Sequence, residues 1–254
     1  MKQILSILCI IAVVFAVAAD EATHKRGRPR SAIKASGGIV EKAYTGRTIQ
    51  IVNASTSTDK ATVDAIALKI RRSAQLPVEA SAGEASTAKS PIPYARAVAK
   101  SGNAGATVVL VESNELPIIL GSPDEKWAIL NVAPLAGDQA KFESRLNKGL
   151  WGAMARALGT GSSGDWGCVL APFSNVAQLD AIPATEPSPT SHNALIDVAK
   201  VSGINMIYFA TYRTACQQGW APQPANDEQK KIWNEIHSIP DKPITIEFDP
   251  KKDK

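Results

Sequence analysis

Histidine is scarce in this chain of 254 residues, which contains only His24, His192 and His237. No two of them have the i, i+4 spacing that would place two metal ligands on one helix face. We therefore expect each to be solvated or structural, and His237 to lie at the end of a helix, where its charge suits the helix dipole. The scarcity also leaves the serines of the stretch 161–164 without a nearby histidine base. These observations argue against a histidine-based metal centre and against a serine hydrolase.

Long hydrophobic runs are absent after the first twenty residues, and the mean hydropathy is −0.07. The N-terminus has a basic residue at Lys2, an apolar run over 4–15 and small residues over 16–19. This arrangement is typical of a cleaved secretory signal. We predict a signal peptide over 1–19, cleaved near Ala18 or Ala19, and a secreted or periplasmic protein without a membrane attachment. The alternative is an uncleaved membrane anchor.

Charge of one sign is not in large excess, since the formal net charge is +4 and signal cleavage removes Lys2. So small an excess argues against a strong attraction to nucleic acid or to an anionic membrane. The segment 20–46 is basic and poor in large apolar residues, which predicts a flexible leader. Its Arg-Gly-Arg-Pro at 26–29 resembles the core of an AT-hook, which lies in the minor groove of DNA. In an exported chain we favour the solvated leader and expect no nucleic-acid partner.

Cysteine is also rare, and removal of Cys9 with the signal leaves Cys168 and Cys216. The two are far apart and form no C-x-x-C pair, so in an exported chain they favour a disulfide over a metal site. Such a bond would bring the loops of Trp166 and Trp220 together. Each tryptophan is either a packing anchor or an exposed ring that stacks on a ligand such as a sugar or peptide.

The pattern of apolar residues predicts one α/β domain over 47–254, with a mixed, mostly parallel sheet. The continuously apolar stretch 106–112 is typical of a strand buried on both faces. Other expected strands are 48–52, 76–80, 116–120, 127–132, 204–212 and 243–248, of which 204–212 is a second candidate for the sheet interior. Helices are expected over 63–72, 94–100, 142–158, 194–201 and 228–237.

One predicted helix is longer than the rest. Apolar residues recur every four positions in it, at Phe142, Leu146, Leu150, Met154 and Leu158, and so form a single stripe. We expect this central helix to pack across the sheet and to end at the glycine that follows, Gly159.

The segment 142–175 resembles the active-site segment of the archaemetzincins, a branch of the metzincin zinc peptidases. Their pattern is H-E-x-x-H-x-x-G-x-x-H-C, four residues, then C-x-M and F-S-N. Gly159 stands at the glycine of the pattern and Cys168 at its second cysteine, and 173–175 reads Phe-Ser-Asn after a one-residue insertion. The resemblance implies a metzincin-like (zincin-like) fold, with the central helix carrying the site.

The chain departs from this pattern at all three zinc ligands and at the catalytic glutamate. Gly152 stands at the first histidine, Ala153 at the glutamate, Arg156 at the second histidine and Ser162 at the third. A site without imidazole, thiolate or carboxylate ligands does not hold zinc. What the resemblance implies is thus a fold without its metal or any other cofactor, and a protein that is not a zinc peptidase.

These observations lead to an exported archaemetzincin-like protein that binds a peptide or a protein partner beside Gly152 and Arg156. Two alternatives stay open at this point. One is a hydrolase that uses residues outside the pattern, and the other is an exported structural or interaction module whose likeness to the family is accidental. The sequence sets no oligomeric state.

Overall fold

The computed structural model describes residues 36–84 and 90–238. The predicted signal, most of the predicted leader and the predicted strand 243–248 lie outside these ranges. The described strands are β1 (Ile39–Glu41), β2 (Ile49–Asn53), β3 (Val78–Ala82), β4 (Ala106–Val111), β5 (Ile119–Ser122), β6 (Trp127–Asn131) and β7 (Phe209–Thr211). The helices are α1 (Lys60–Ala74), α2 (Pro91–Ser101), α3 (Gln139–Leu158), α4 (Val176–Ala181), α5 (Pro189–Val201), α6 (Tyr212–Gln217) and α7 (Asp227–His237).

The main sheet has five strands in the order β3-β2-β4-β6-β5. The strands β3, β2, β4 and β6 are parallel, while β5 pairs antiparallel with β6. The predicted α/β class and the mixed, mostly parallel sheet are therefore confirmed. Within the described residues β5 forms one edge of this sheet, so one side of its backbone has no strand partner.

Local sequence explains where the helices begin. Asp59 caps α1 by accepting a hydrogen bond from the Thr62 backbone N–H, and Asp138 does the same for α3 through Lys141. Helix α2 begins at Pro91, three residues before the predicted start. A proline is favoured in the first turn, where its missing N–H would have no helical partner.

The strand β4 separates two layers of core, because its side chains alternate between the faces of the sheet. Val108 and Leu110 belong to the larger cluster, under α1 and α3, while Val109 and Val111 belong to a smaller one under α2. All six residues of β4 are buried, which confirms the predicted strand with two covered faces.

A second, two-stranded sheet corrects two of our expectations. Here β1 pairs antiparallel with β7, although β1 lies inside the predicted flexible leader 20–46. The prediction of a long strand over 204–212 in the sheet interior is wrong, since only Phe209–Thr211 is a strand and it pairs with β1. Ile204 and Ile207 are buried, whereas Met206 and Tyr208 are exposed. This segment therefore lies at the surface, with only some of its side chains in the core.

Helix α3 is buried on more than its predicted stripe. Leu146, Leu150, Met154 and Leu158 are at most 1% exposed, as the four-residue spacing predicts, while Phe142 is partly buried against the same core. Trp151 on another face is equally buried, and α4 and α5 also contact the helix. No helix in the described ranges is long and apolar enough to span a membrane.

Candidate functional site

A surface cleft of about 420 Å³ lies beside the C-terminal half of α3. Three of the residues singled out from the sequence line it, namely Gly152, Arg156 and Ser162. The edge strand β5 contributes Ile119 to the lining. Most of the remaining lining is small or apolar: Ala155, Leu170, Ala171, Pro172 and Phe173. The structure thus brings these three of the predicted positions together in one concave site.

Gly152 lets the helix come close to β5. A Cβ added at this position would lie 2.7 Å from Ile119 Cδ1 and 3.5 Å from Phe173 Cε1. The first of these distances is shorter than van der Waals contact allows, so even an alanine would require Ile119 to move. The space into which a side chain at 152 would project is therefore occupied by a side chain of the edge strand.

Arg156 lies one helical turn further along and contacts the same strand. Its Nε donates a hydrogen bond of 3.0 Å to the carbonyl oxygen of Gly121. Ile118 pairs with β6, since its carbonyl accepts from the Asn131 backbone N–H at 2.8 Å. In an antiparallel ladder alternate residues face the partner, so Ile119 and Gly121 direct their backbone groups to the free edge. Arg156 thus occupies one acceptor on this edge.

The turn after α3 forms the floor of the cleft. Gly159 adopts a left-handed conformation with φ of 91°, and its N–H donates to the Ala155 carbonyl, which ends the helix as predicted. Thr160 then lines the cleft, and its Oγ1 is buried without a hydrogen-bond partner in the part of the chain that the structure describes. Sequence reasoning missed Thr160, as no pattern marks a buried hydroxyl.

Ala153 does not reach the cleft. It stands at the glutamate position of the pattern, yet it is fully buried in the larger core cluster. Its neighbours on the helix, Gly152 and Ala155, line the cleft instead. Position 153 is therefore a packing position in this protein.

The expected disulfide is a wrong prediction, because Cys168 and Cys216 are both free and buried. Cys168 belongs to the larger core cluster, whereas Cys216 packs with Tyr212 and Ile232 in a third cluster under the small sheet. Burial raises the pKa of the Cys168 thiol, but hydrogen bonds from Ser191, Ser188 and Leu170 outweigh it and the net shift is downward. Spacing in sequence could not show that the two thiols lie in separate clusters.

The two tryptophans differ in their surroundings. Trp166 is 71% exposed on the loop that precedes Cys168, and it is not among the residues that line the cleft. Trp220 packs edge-to-face on Tyr208 with ring centroids 5.5 Å apart, and its Nε1 donates to Gln218. A role in ligand contact stays a prediction for Trp166 and Trp220 alike.

The cleft does not fit zinc. Among the described residues, those that line it include no histidine, cysteine or carboxylate, which are the ligands that zinc takes in proteins. Arg156 would add a positive charge beside the ion. In the described ranges no group of three or more potential ligands of the histidine, cysteine, aspartate or glutamate type occurs.

A second crevice of about 380 Å³ lies at the carboxyl end of the parallel strands, beside Glu112. Hydrogen bonds lower the pKa of Glu112 to about 2, first from the Ser55 hydroxyl and then from the Ser57 backbone N–H. Its Oε1 lies 2.6 Å from Ser55 Oγ and 2.7 Å from the N–H groups of Thr56 and Ser57. Because this carboxylate is held by the loop that follows β2, its visible role is to order that loop.

Three solved structures are similar to this chain. An archaemetzincin from Methanopyrus kandleri is 17% identical, with a TM-score of 0.48 over 61% of this chain and 96% of its own. A zinc-dependent peptidase from Methanocorpusculum labreanum is 11% identical, with a TM-score of 0.47 over 58% of this chain and 99% of its own. An archaemetzincin from Archaeoglobus fulgidus, complexed with malonate, is 16% identical, with a TM-score of 0.46 over 58% of this chain and 99% of its own.

No protein-family model matches the chain, and no curated protein matches it. The similarity to the solved structures concerns the path of the backbone, and the sequence identity is low. It therefore assigns no role to any residue of this protein.

Proposed function

We propose that this protein is an exported, non-catalytic binding protein of archaemetzincin-like organisation, and that its ligand is an extended peptide segment held in the cleft beside α3. The observation that carries the proposal is the cleft itself. It is built at Gly152, Arg156 and Ser162, where the motif would place a metal, but its lining combines small and apolar residues with two hydroxyl residues and the charge of Arg156.

The edge strand gives a physical reason for a peptide ligand. An unpaired strand edge presents backbone N–H and C=O groups that an extended peptide can pair with, while pockets beside it accept alternate side chains. Ile119 directs its backbone groups toward this free edge, and the cleft beside it is lined by Leu170 and Phe173. The cleft therefore offers both backbone pairing and an apolar pocket.

Catalysis is not part of the proposal, because the described residues that line the cleft include no metal ligand and no general base for a water molecule. Peptide hydrolysis by a zinc enzyme needs a metal-bound water and a general base beside it. Position 153, which would supply the base, is a buried alanine. Ser162 has no histidine among the residues that line the cleft with it.

Fluorescence anisotropy tests the binding with a labelled pool of random octapeptides as the probe. We expect saturable binding by the wild type and a loss of at least tenfold in Ser162→Trp, which fills the cleft. Ser101→Trp, on the opposite face of the sheet, is the matched control and should bind as the wild type does. The variant Trp166→Ala tests whether the exposed ring takes part. Absence of saturable binding, or equal binding by Ser162→Trp, would contradict the proposal.

Export has its own test. The full chain is expressed in a bacterial host, and the protein from the periplasmic fraction is analysed by intact mass and N-terminal sequencing. We expect a chain that begins at Ala19 or Asp20. Recovery only in the cytoplasmic or membrane fraction, with the N-terminus intact, would contradict export.

A further inference from the structure

We infer that the cleft recognises the C-terminal carboxylate of an extended peptide, with Arg156 as the residue that binds it. This inference rests on the proposed peptide-binding function and narrows it to one class of ligand. It follows from how Arg156 is placed on the edge of β5 and from what else lines the cleft.

Arg156 limits how far a peptide can pair with β5. Ile119 and Gly121 are the two residues of the strand that direct backbone groups to the free edge, and the Gly121 carbonyl already accepts from Arg156 Nε at 3.0 Å. A peptide that runs parallel to β5 can pair with Ile119, but it cannot continue its ladder past Gly121. Its chain would end, or turn away, where the guanidinium lies.

The guanidinium has donors left for the end of such a chain. An arginine has five N–H donors in a planar fork, and only Nε has a protein partner among the described residues. No described carboxylate forms an ion pair with Arg156, in contrast to Arg145, which pairs with Asp180. A carboxylate accepts two parallel hydrogen bonds from such a fork, so the free terminus of a peptide matches this group in charge and shape.

The apolar part of the cleft selects the residue that precedes the carboxylate. Ile119, Leu170 and Phe173 lie around the space next to Arg156. A pocket with apolar walls and one charged group takes a ligand with an apolar side chain beside an opposite charge. The expected ligand is thus a peptide with an apolar last residue and a free C-terminus.

Two octapeptide pools with fluorescein at the N-terminus test the inference, one with free C-terminal carboxylates and one with C-terminal amides. Both pools are randomised at all other positions and carry leucine as the last residue. We expect the free-acid pool to bind the wild type about tenfold more tightly, as for a hydrogen-bonded charge pair. The preference should vanish in Arg156→Ala and fall in Arg156→Lys, which keeps the charge without the fork.

Arg47→Ala, which removes an exposed arginine elsewhere on the surface, is the matched control and should keep the preference. Circular dichroism and the urea midpoint establish that each variant is folded. Equal binding of the two pools would overturn the carboxylate inference and leave peptide binding standing. A preference that persists in Arg156→Ala would also overturn it, and binding of neither pool would overturn the proposed function as well.

Discussion

The close approach of Gly152 to β5 predicts a specific energetic coupling between Gly152 and Ile119. In an ordinary helix interior, replacing glycine by alanine stabilises the folded state by about 1 kcal/mol. Here the new Cβ would lie 2.7 Å from Ile119 Cδ1, and overpacking of this kind costs about 1–3 kcal/mol. We therefore expect Gly152→Ala to lower the free energy of unfolding by about 1 kcal/mol.

Ile119→Val removes the Cδ1 atom that the new methyl group would meet. On its own this change costs about 0.5–1.5 kcal/mol. In the Ile119→Val background, however, Gly152→Ala keeps its helix advantage without the clash, and should stabilise the protein by up to about 1 kcal/mol. The double-mutant cycle should thus give a coupling free energy of about 2 kcal/mol, which is within the range for contacting residues.

Urea unfolding of the four proteins, followed by circular dichroism, measures the cycle, with equal m-values as the check that only stability has changed. Gly161→Ala is the control, since an added Cβ there meets nothing within 4 Å, and it should be additive with Ile119→Val. If Gly152→Ala has the same effect in both backgrounds, Ile119 does not fill the space beside position 152. Close approach of the helix to β5 would then be refuted as the reason for a glycine at that position.

Three further predictions concern the surrounding structure. Gly159→Ala should lower the free energy of unfolding by about 1–2 kcal/mol, because a side chain is strained at φ of 91°; unchanged urea unfolding would contradict this. The pKa of Glu112 is lowered to about 2. The ionised carboxylate therefore stabilises the folded state fully at pH values above the ordinary pKa of a carboxyl group, and this stabilisation is lost as the pH falls toward 2. Wild type and Glu112→Gln should therefore differ in urea midpoint at neutral pH and converge on acidification, and a constant difference would be contrary evidence. In a chain that begins at residue 20, Cys168 and Cys216 should react with a maleimide only after unfolding and then both add label by mass; an unlabelled bonded pair would contradict the free thiols.

The central helix and its end could be predicted from sequence because both depend on local chemistry. A four-residue apolar spacing determines the buried face of a helix, and a glycine at the end permits the left-handed turn. Gly152 and Arg156 are four residues apart, so a helical pattern already places them on one side of α3, where they line the cleft. This spacing and the order of the motif residues were enough to predict that Gly152, Arg156 and Ser162 lie near one another, and a function at the cleft that they line stays a prediction.

What fills the cleft could not be predicted, because it depends on non-local packing. The contact of Ile119 with Gly152 depends on the register of β5 against β6, and a shift of one residue would turn Ile119 to the other face of the sheet. The residues 204–208 have the composition of a strand but do not belong to either sheet, and only Phe209–Thr211 forms a strand ladder, with β1. Similarly, the fold places the two thiols in separate clusters. Their positions in the sequence alone could not show this.

The central proposal is that the cleft lies where the archaemetzincin motif would place a metal, and that it lacks the groups that bind one. Its most direct test is the zinc content of the purified protein, measured by inductively coupled plasma mass spectrometry after incubation with excess zinc and dialysis. The composition of the cleft predicts far less than one zinc per chain, unchanged in Arg156→Ala. One zinc retained per chain would contradict the claim and would show that ligands outside this cleft bind the metal.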